Sequence, residues 1–183
     1  MTKTTTKARQ RALPGLSKPV PKRKPANRAD RILYFAYGAN TNLASMDSRC
    51  PDADPVGKMM LEDHCLKFRG VADVVRAPGR TVFGALWWIT PRCERSLDAF
   101  EGFPSFYTKQ YGKVVLDGVE RIVMFYVMAK DGPASPPYSG YERTLREGYE
   151  EFGLPQEQID LAIEECPAPV HRFKNPADLW SMA

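Results

Sequence analysis

Apolar residues run almost unbroken over 32–37 (ILYFAY), which predicts a strand covered on both faces. The run stops at Gly38-Ala39-Asn40-Thr41-Asn42, and a helix is expected to start over 43–46. Strand-like runs follow at 58–68 and 71–75, parted by Gly70. Gly79 marks a turn before 81–89 (TVFGALWWI), the strongest strand signal in the chain, and Gly84 within it predicts a bulge or a close backbone approach. Thr90 as N-cap and Pro91 in the first turn predict a helix with Cys93, Leu97 and Phe100 on one apolar face, closed by Gly102. Residues 103–107 read as a loop. The runs at 111–116 and 119–128 flank Asp117-Gly118, a hairpin signal. Residues 131–137, with Gly132, Pro133, Pro136 and Pro137, read as a rigid loop. Tyr141, Leu145 and Tyr149 recur at four-residue steps, so 138–152 is an amphipathic helix ended by Gly153 and Pro155. Ile159, Leu161, Ala162 and Ile163 predict a second short helix to about Cys166.

Strands in the middle and helices towards the end point to an α+β domain with a mixed or antiparallel sheet, open or closed. A chain of 183 residues, 43% hydrophobic and 26% charged, suits one domain with a full core. The charge is unevenly spread. Residues 1–31 hold ten Lys or Arg against Asp30 alone, a net +9, so a total of +4 leaves the remainder at −5. With Pro14, Pro19, Pro21 and Pro25 and little apolar periodicity, residues 1–30 read as a disordered basic arm. Two readings of it stand: a nucleic-acid contact by residues 1–31 through phosphate attraction, or a solubilising tail. No aromatic residue sits among its basic residues to stack on bases. Nothing in the chain has the length of a membrane span or the apolar core of a signal peptide, so no membrane contact is expected. Four cysteines far apart, with no C-x-x-C pair, and two histidines suggest neither a metal site nor a disulfide framework. A reducing, cytoplasmic setting is expected. The sequence assigns no oligomeric state.

Glu101 falls four residues after Leu97, on the helix's apolar face and at the negative end of its dipole. Both features make a carboxyl hold its proton, as a general base or acid requires. The competing reading is a last-turn surface glutamate. The strand-to-helix junction at 38–42 can gather backbone N–H groups for a carboxylate or a developing oxyanion, or it is an ordinary turn. Arg76 and Arg80 are either partners for a substrate carboxylate or solvated charges.

Several motifs then stand in a telling order: Tyr37-Gly38-Ala39-Asn40 after the first strand, Arg49-Cys50-Pro51, Gly84-Ala85-Leu86-Trp87, Leu97-Asp98-x-x-Glu101-Gly102, Tyr107, and Tyr141-x6-Gly148-x4-Gly153-Leu154-Pro155. Over 32–165 the chain resembles the γ-glutamylcyclotransferase-like family, which takes in BtrG-like and AIG2-like proteins. The resemblance implies a small mixed β-barrel flanked by helices over 31–168, with 169–183 as a C-terminal strap or tail. It implies an intramolecular cyclotransferase that releases an amine or amino acid from a small-molecule γ-glutamyl amide and forms 5-oxoproline, with no cofactor. Glu101 matches the family's catalytic glutamate. Tyr37, Gly38, Ala39 and Asn40 match the turn that cradles the γ-glutamyl group, and Tyr107 and Tyr141 match pocket tyrosines. Ala39 departs from the commoner serine. The alternative is a non-catalytic small-molecule-binding protein on the same fold. For an enzyme, the leaving group is expected near 71–80, 103–107 and 131–141.

Overall fold

The computed structural model describes Gln10–Leu13 and residues 30–167. Most of the arm expected at 1–30, the tail expected at 169–183 and the nucleic-acid reading of residues 1–31 lie outside them.

The middle strand of the sheet is β2 (Ile32–Ala36). It pairs antiparallel with β4 (Ala72–Ile89), with Phe35 opposite Leu86, and parallel with β6 (Val119–Met128), with Leu33 opposite Val123. β3 (Asp54–Phe68) adds beside β4 and β5 (Tyr107–Leu116) beside β6, giving a five-stranded mixed sheet in the order β3-β4-β2-β6-β5. Leu33, Tyr34, Phe35 and Ala36 are all buried. That is the signature of a strand covered on both faces, and it agrees with the unbroken apolar run.

The strands exceed the sequence reading in several places. β3 begins at Asp54 and β4 runs on through the expected turn at Gly79. Gly79 (φ +78) lies across from Asp63 (φ +57), where the register shifts between Glu62 and His64. Its N–H donates to the Asp63 carboxylate at 3.0 Å. The glycine signal is thus absorbed by a bulge, which twists the long hairpin without ending it. Tyr107, expected in a loop, is the first residue of β5. The Asp117-Gly118 hairpin is as expected, with positive φ at both residues (52 and 76), the type I′ geometry that suits the twist of its strands. A short strand inside the expected arm, β1 (Gln10–Leu13), pairs antiparallel with β3 and parallel with β5.

Four helices follow the predicted stretches: α1 (Leu43–Arg49), α2 (Pro91–Phe100), α3 (Ser139–Phe152) and α4 (Glu157–Glu164). Asn42 caps α1 by accepting from Ser45 N–H at 2.9 Å, and Thr90 caps α2 by accepting from Cys93 N–H at 3.2 Å. Two glycines allow close packing. A Cβ on Gly84 would stand 2.3 Å from the Ala36 carbonyl oxygen. One on Gly148 would stand 2.3 Å from Thr41 Oγ1, so α3 lies directly on the turn after β2. Among the described residues, no helix is long and apolar enough to cross a membrane.

Candidate active site

The end of β2 and the end of α2 converge on one cavity of about 310 Å³. Ala39–Thr41 form a single 3-10 turn, tied by Thr41 N–H to the Gly38 carbonyl at 2.9 Å. α2 ends on Glu101, and Gly102 (φ +61) lets Phe103 N–H return to the Asp98 carbonyl at 2.9 Å. That cap aims Glu101 inward. Cys93 and Leu97 are buried as the periodicity predicted, but Phe100 is half exposed, which corrects its expected place on the apolar face. It sits at the cavity edge under the Arg49 guanidinium, 3.7 Å from ring centre to carbon.

Asn40 Nδ2 donates to Glu101 Oε1 at 2.8 Å and to the Tyr34 hydroxyl at 3.0 Å. Arg49 donates to Asn40 Oδ1 at 2.9 Å. An amide held at both ends has one orientation, so its NH₂ faces the carboxylate. Burial lifts the Glu101 carboxyl to about 7, against the opposing pull of Arg49 and of the Asn40 hydrogen bond. This carboxyl is therefore poised to exchange a proton near neutral pH.

Three tyrosines form another part of the cavity's lining. Tyr141 hydroxyl accepts from Ala72 N–H at 3.1 Å, and burial pushes its pKa up to about 12. Tyr107 donates to the Ala72 carbonyl, and Tyr37 to the Tyr126 carbonyl at 2.7 Å. Tyr149 donates to the Tyr37 carbonyl at 3.0 Å, so a buried α3 side chain fixes the start of the turn.

All seven residues singled out from the sequence line this cavity: Glu101, Tyr37, Gly38, Ala39, Asn40, Tyr107 and Tyr141. Tyr34 and Arg49 line it too and were assigned no role. Tyr34 was hidden in an apolar run. Arg49 stood in the Arg49-Cys50-Pro51 triplet, with nothing local to say that it turns towards Asn40. Of the segment 71–80, only Val71 and Ala72 reach the cavity. Arg76 and Arg80 do not line it, and Arg80 pairs with Glu165 at 2.7 Å.

The profile of the gamma-glutamyl cyclotransferase, AIG2-like family matches residues 34–149. The Mus musculus gamma-glutamylcyclotransferase is 29% identical over 142 residues, covering 70% of this chain and 75% of the mouse protein. The Homo sapiens gamma-glutamylcyclotransferase is 28% identical over 141 residues, with the same coverage. A solved gamma-glutamyl cyclotransferase superposes with a TM-score of 0.64 at 26% identity, covering 81% of this chain and 95% of that one. An uncharacterized Homo sapiens protein superposes equally well, with a TM-score of 0.64 at 28% identity over 77% of this chain and 91% of that one. The matched span runs from within β2 to within α3 and carries the turn, the partly buried glutamate and the tyrosine wall. The chain belongs to the gamma-glutamyl cyclotransferase, AIG2-like family.

Proposed function

We propose that the protein is a cyclotransferase that turns a γ-glutamyl amide into 5-oxoproline and a free amine, with Glu101 as general base and then general acid. The observation that carries this is a partly buried carboxyl lifted to about 7 and held by Asn40 at 2.8 Å in the cavity of a family member.

The substrate supplies its own nucleophile. The α-amino nitrogen loses a proton to the Glu101 carboxylate and bonds to the γ-carbonyl carbon, closing a five-membered ring. The bond from that carbon to the amide nitrogen breaks, and the leaving nitrogen takes the proton back from Glu101. No water is consumed. A base near its working pKa suits both transfers. The turn at Gly38, Ala39 and Asn40 holds the γ-glutamyl end through backbone N–H groups, which serve either its α-carboxylate or the developing oxyanion. Alanine at position 39 is compatible with a backbone role. Walls formed by Tyr37, Tyr107 and Tyr141 hold the chain in its cyclising conformer, a proximity effect. The same reading takes the sheet as a closed barrel with β1 between β3 and β5, supported by its pairing with both strands.

The test is mass spectrometry for 5-oxoproline after incubation with γ-glutamyl dipeptides, γ-glutamyl-amines and glutathione. Glu101→Gln is run in parallel. Product from the parent protein and none from the variant would support the reading. Product from both would remove Glu101 from its role, and ligand binding without product would favour a binding protein.

A further inference from the structure

The catalytic end of the cavity and its mouth have different chemistry. At the inner end stand Glu101, Asn40 and the 38–40 turn. Towards solvent stand three aromatic rings from separate elements: Phe100 at the end of α2, Phe106 just before β5 and Tyr138 just before α3. They are 50%, 56% and 66% exposed. Large aromatic groups left open to water at the rim of one cavity are surface waiting for an apolar ligand to cover it.

The rings are held in place. Phe106 packs edge-on against Tyr107 at 5.2 Å between ring centres. Tyr138 lies against Tyr141 at 5.9 Å. Phe100 is stacked beneath Arg49. Each rim ring thus leans on a residue of the inner wall, so its position is set before a ligand arrives and little ordering cost remains.

Charge is scarce at the rim. Among the described residues lining the cavity, Arg49 and Glu101 are the charged ones; Glu101 belongs to the inner end, and Arg49 lies between the two ends, bonded to Asn40 and stacked over Phe100. Nearby cations are already engaged. Lys109 is bound by Glu94 at 2.6 Å and Asp98 at 2.8 Å, and Arg69 by Asp73 and Asp131. Arg49 is placed to meet the α-carboxylate that an amino-acid leaving group carries, whereas a charged side chain laid against Phe106 and Tyr138 would lose water and meet aromatic rings in its place.

From this we infer that the leaving group is an amine or amino acid with an aromatic or large apolar side chain, and that Phe100, Phe106 and Tyr138 set this specificity. The inference rests on the cyclotransferase reading, which places the γ-glutamyl end at Glu101 and so sends the leaving group towards the rim.

The experiment compares kcat/KM for γ-glutamyl-phenylalanine, γ-glutamyl-alanine, γ-glutamyl-aspartate and γ-glutamyl-lysine, read as 5-oxoproline formed. The phenylalanine compound is expected to exceed the alanine compound by about tenfold to a hundredfold, the range an apolar subsite supplies, with both charged compounds below alanine. Phe106→Ala and Tyr138→Ala, at exposed positions that leave the core intact, are each expected to narrow the phenylalanine-to-alanine ratio at least about fivefold, because part of the apolar subsite is lost. Product from all four compounds without that ranking, or variants that lower every substrate by one common factor, would overturn this inference and leave the cyclotransferase reading standing. No product from any of the four, with the parent protein folded, would overturn the reading and this inference with it.

Discussion

Asn40 Nδ2 stands 2.8 Å from Glu101 Oε1, and Arg49 holds the far end of the same amide at 2.9 Å. A residue of the turn after β2 thus links the guanidinium of α1 to the carboxylate at the end of α2. The linkage does two things: it orients the amide, and it brings a positive charge close enough to favour the ionised carboxylate.

Arg49→Gln and Arg49→Met separate these effects. Both remove the charge, so both raise the Glu101 pKa, and the acidic limb of the kcat/KM profile should move above about 7. Gln retains an N–H for Asn40 Oδ1, whereas Met does not. Arg49→Gln should therefore keep about tenfold more activity than Arg49→Met, the worth of one oriented hydrogen bond at about 1.4 kcal/mol. The check is 5-oxoproline formation across pH 5 to about 9. A limb that stays in place would mean that the charge of Arg49 is not felt at the reacting carboxyl.

The lifted carboxyl also makes a stability prediction. The ordinary value of 4.5 rises to about 7 in the folded protein. A raised folded pKa gives stability that is complete below 4.5 and is lost as pH rises through about 7. The difference corresponds to about 3 kcal/mol between those limits. Glu101→Gln has no such group, so its stability should fall less over this window, while its turnover drops by at least about a hundredfold. Urea midpoints of both proteins at pH 4.5 and about 8 give the comparison, with groups common to both cancelling.

The parts of this arrangement differ in how plainly the sequence displays them. β2, the Asp117-Gly118 hairpin and the caps of α2 and α3 are local: a few adjacent residues satisfy their own backbone, and the pattern is visible within ten positions or so. The approach of Glu101 to the 38–40 turn spans 61 residues. Periodicity could place Glu101 on a buried face but could not say what it would meet, and only the family resemblance joined the two. The close backbone approach read as one of two reasons for Gly84 is what the structure shows, whereas the reason for Gly148 is tertiary and has no local signal. One is pressed on the Ala36 carbonyl and the other on Thr41. Phe100 was misplaced because helical spacing cannot distinguish a core position from the rim of a cavity at a helix's last turn. β1 went unseen because four residues in a basic, proline-rich stretch carry no period of their own. Its only signal is the partners it pairs with.

Gly148→Ala tests the contact between α3 and the turn. The new Cβ would stand 2.5 Å from Asn42 N and 2.3 Å from Thr41 Oγ1, so the helix or the turn has to shift. Overpacking of this kind costs about 1–3 kcal/mol. The displaced segment carries Asn40, so turnover should fall along with stability. Thermal unfolding and 5-oxoproline formation on the same preparation read both. A destabilised variant with full turnover at a temperature where it is folded would show that Asn40 keeps its place without this contact.

Asp98 anchors the last turn of α2 from outside the cavity. It accepts from the Tyr126 hydroxyl at 2.6 Å and pairs with Lys109 at 2.8 Å. The ring of Tyr126 is buried, and Lys109 is largely so. Asp98→Ala therefore leaves a buried hydroxyl without its acceptor and Lys109 with Glu94 alone, a loss of about 2–3 kcal/mol. Asp98→Asn keeps an oxygen for Tyr126 and gives up only the charge on a partly exposed carboxylate, so its loss should be nearer 1 kcal/mol, about the worth of a surface ion pair. Because Glu101 is three residues further along the same turn, Asp98→Ala should lower kcat through misplacement of the carboxyl, and Asp98→Asn should restore most of it. Urea unfolding gives the stability order and single-turnover assays give the chemical step. Equal losses in the two variants would assign the anchor to the Lys109 ion pair, and the Tyr126 hydrogen bond would then be dispensable for holding the helix end.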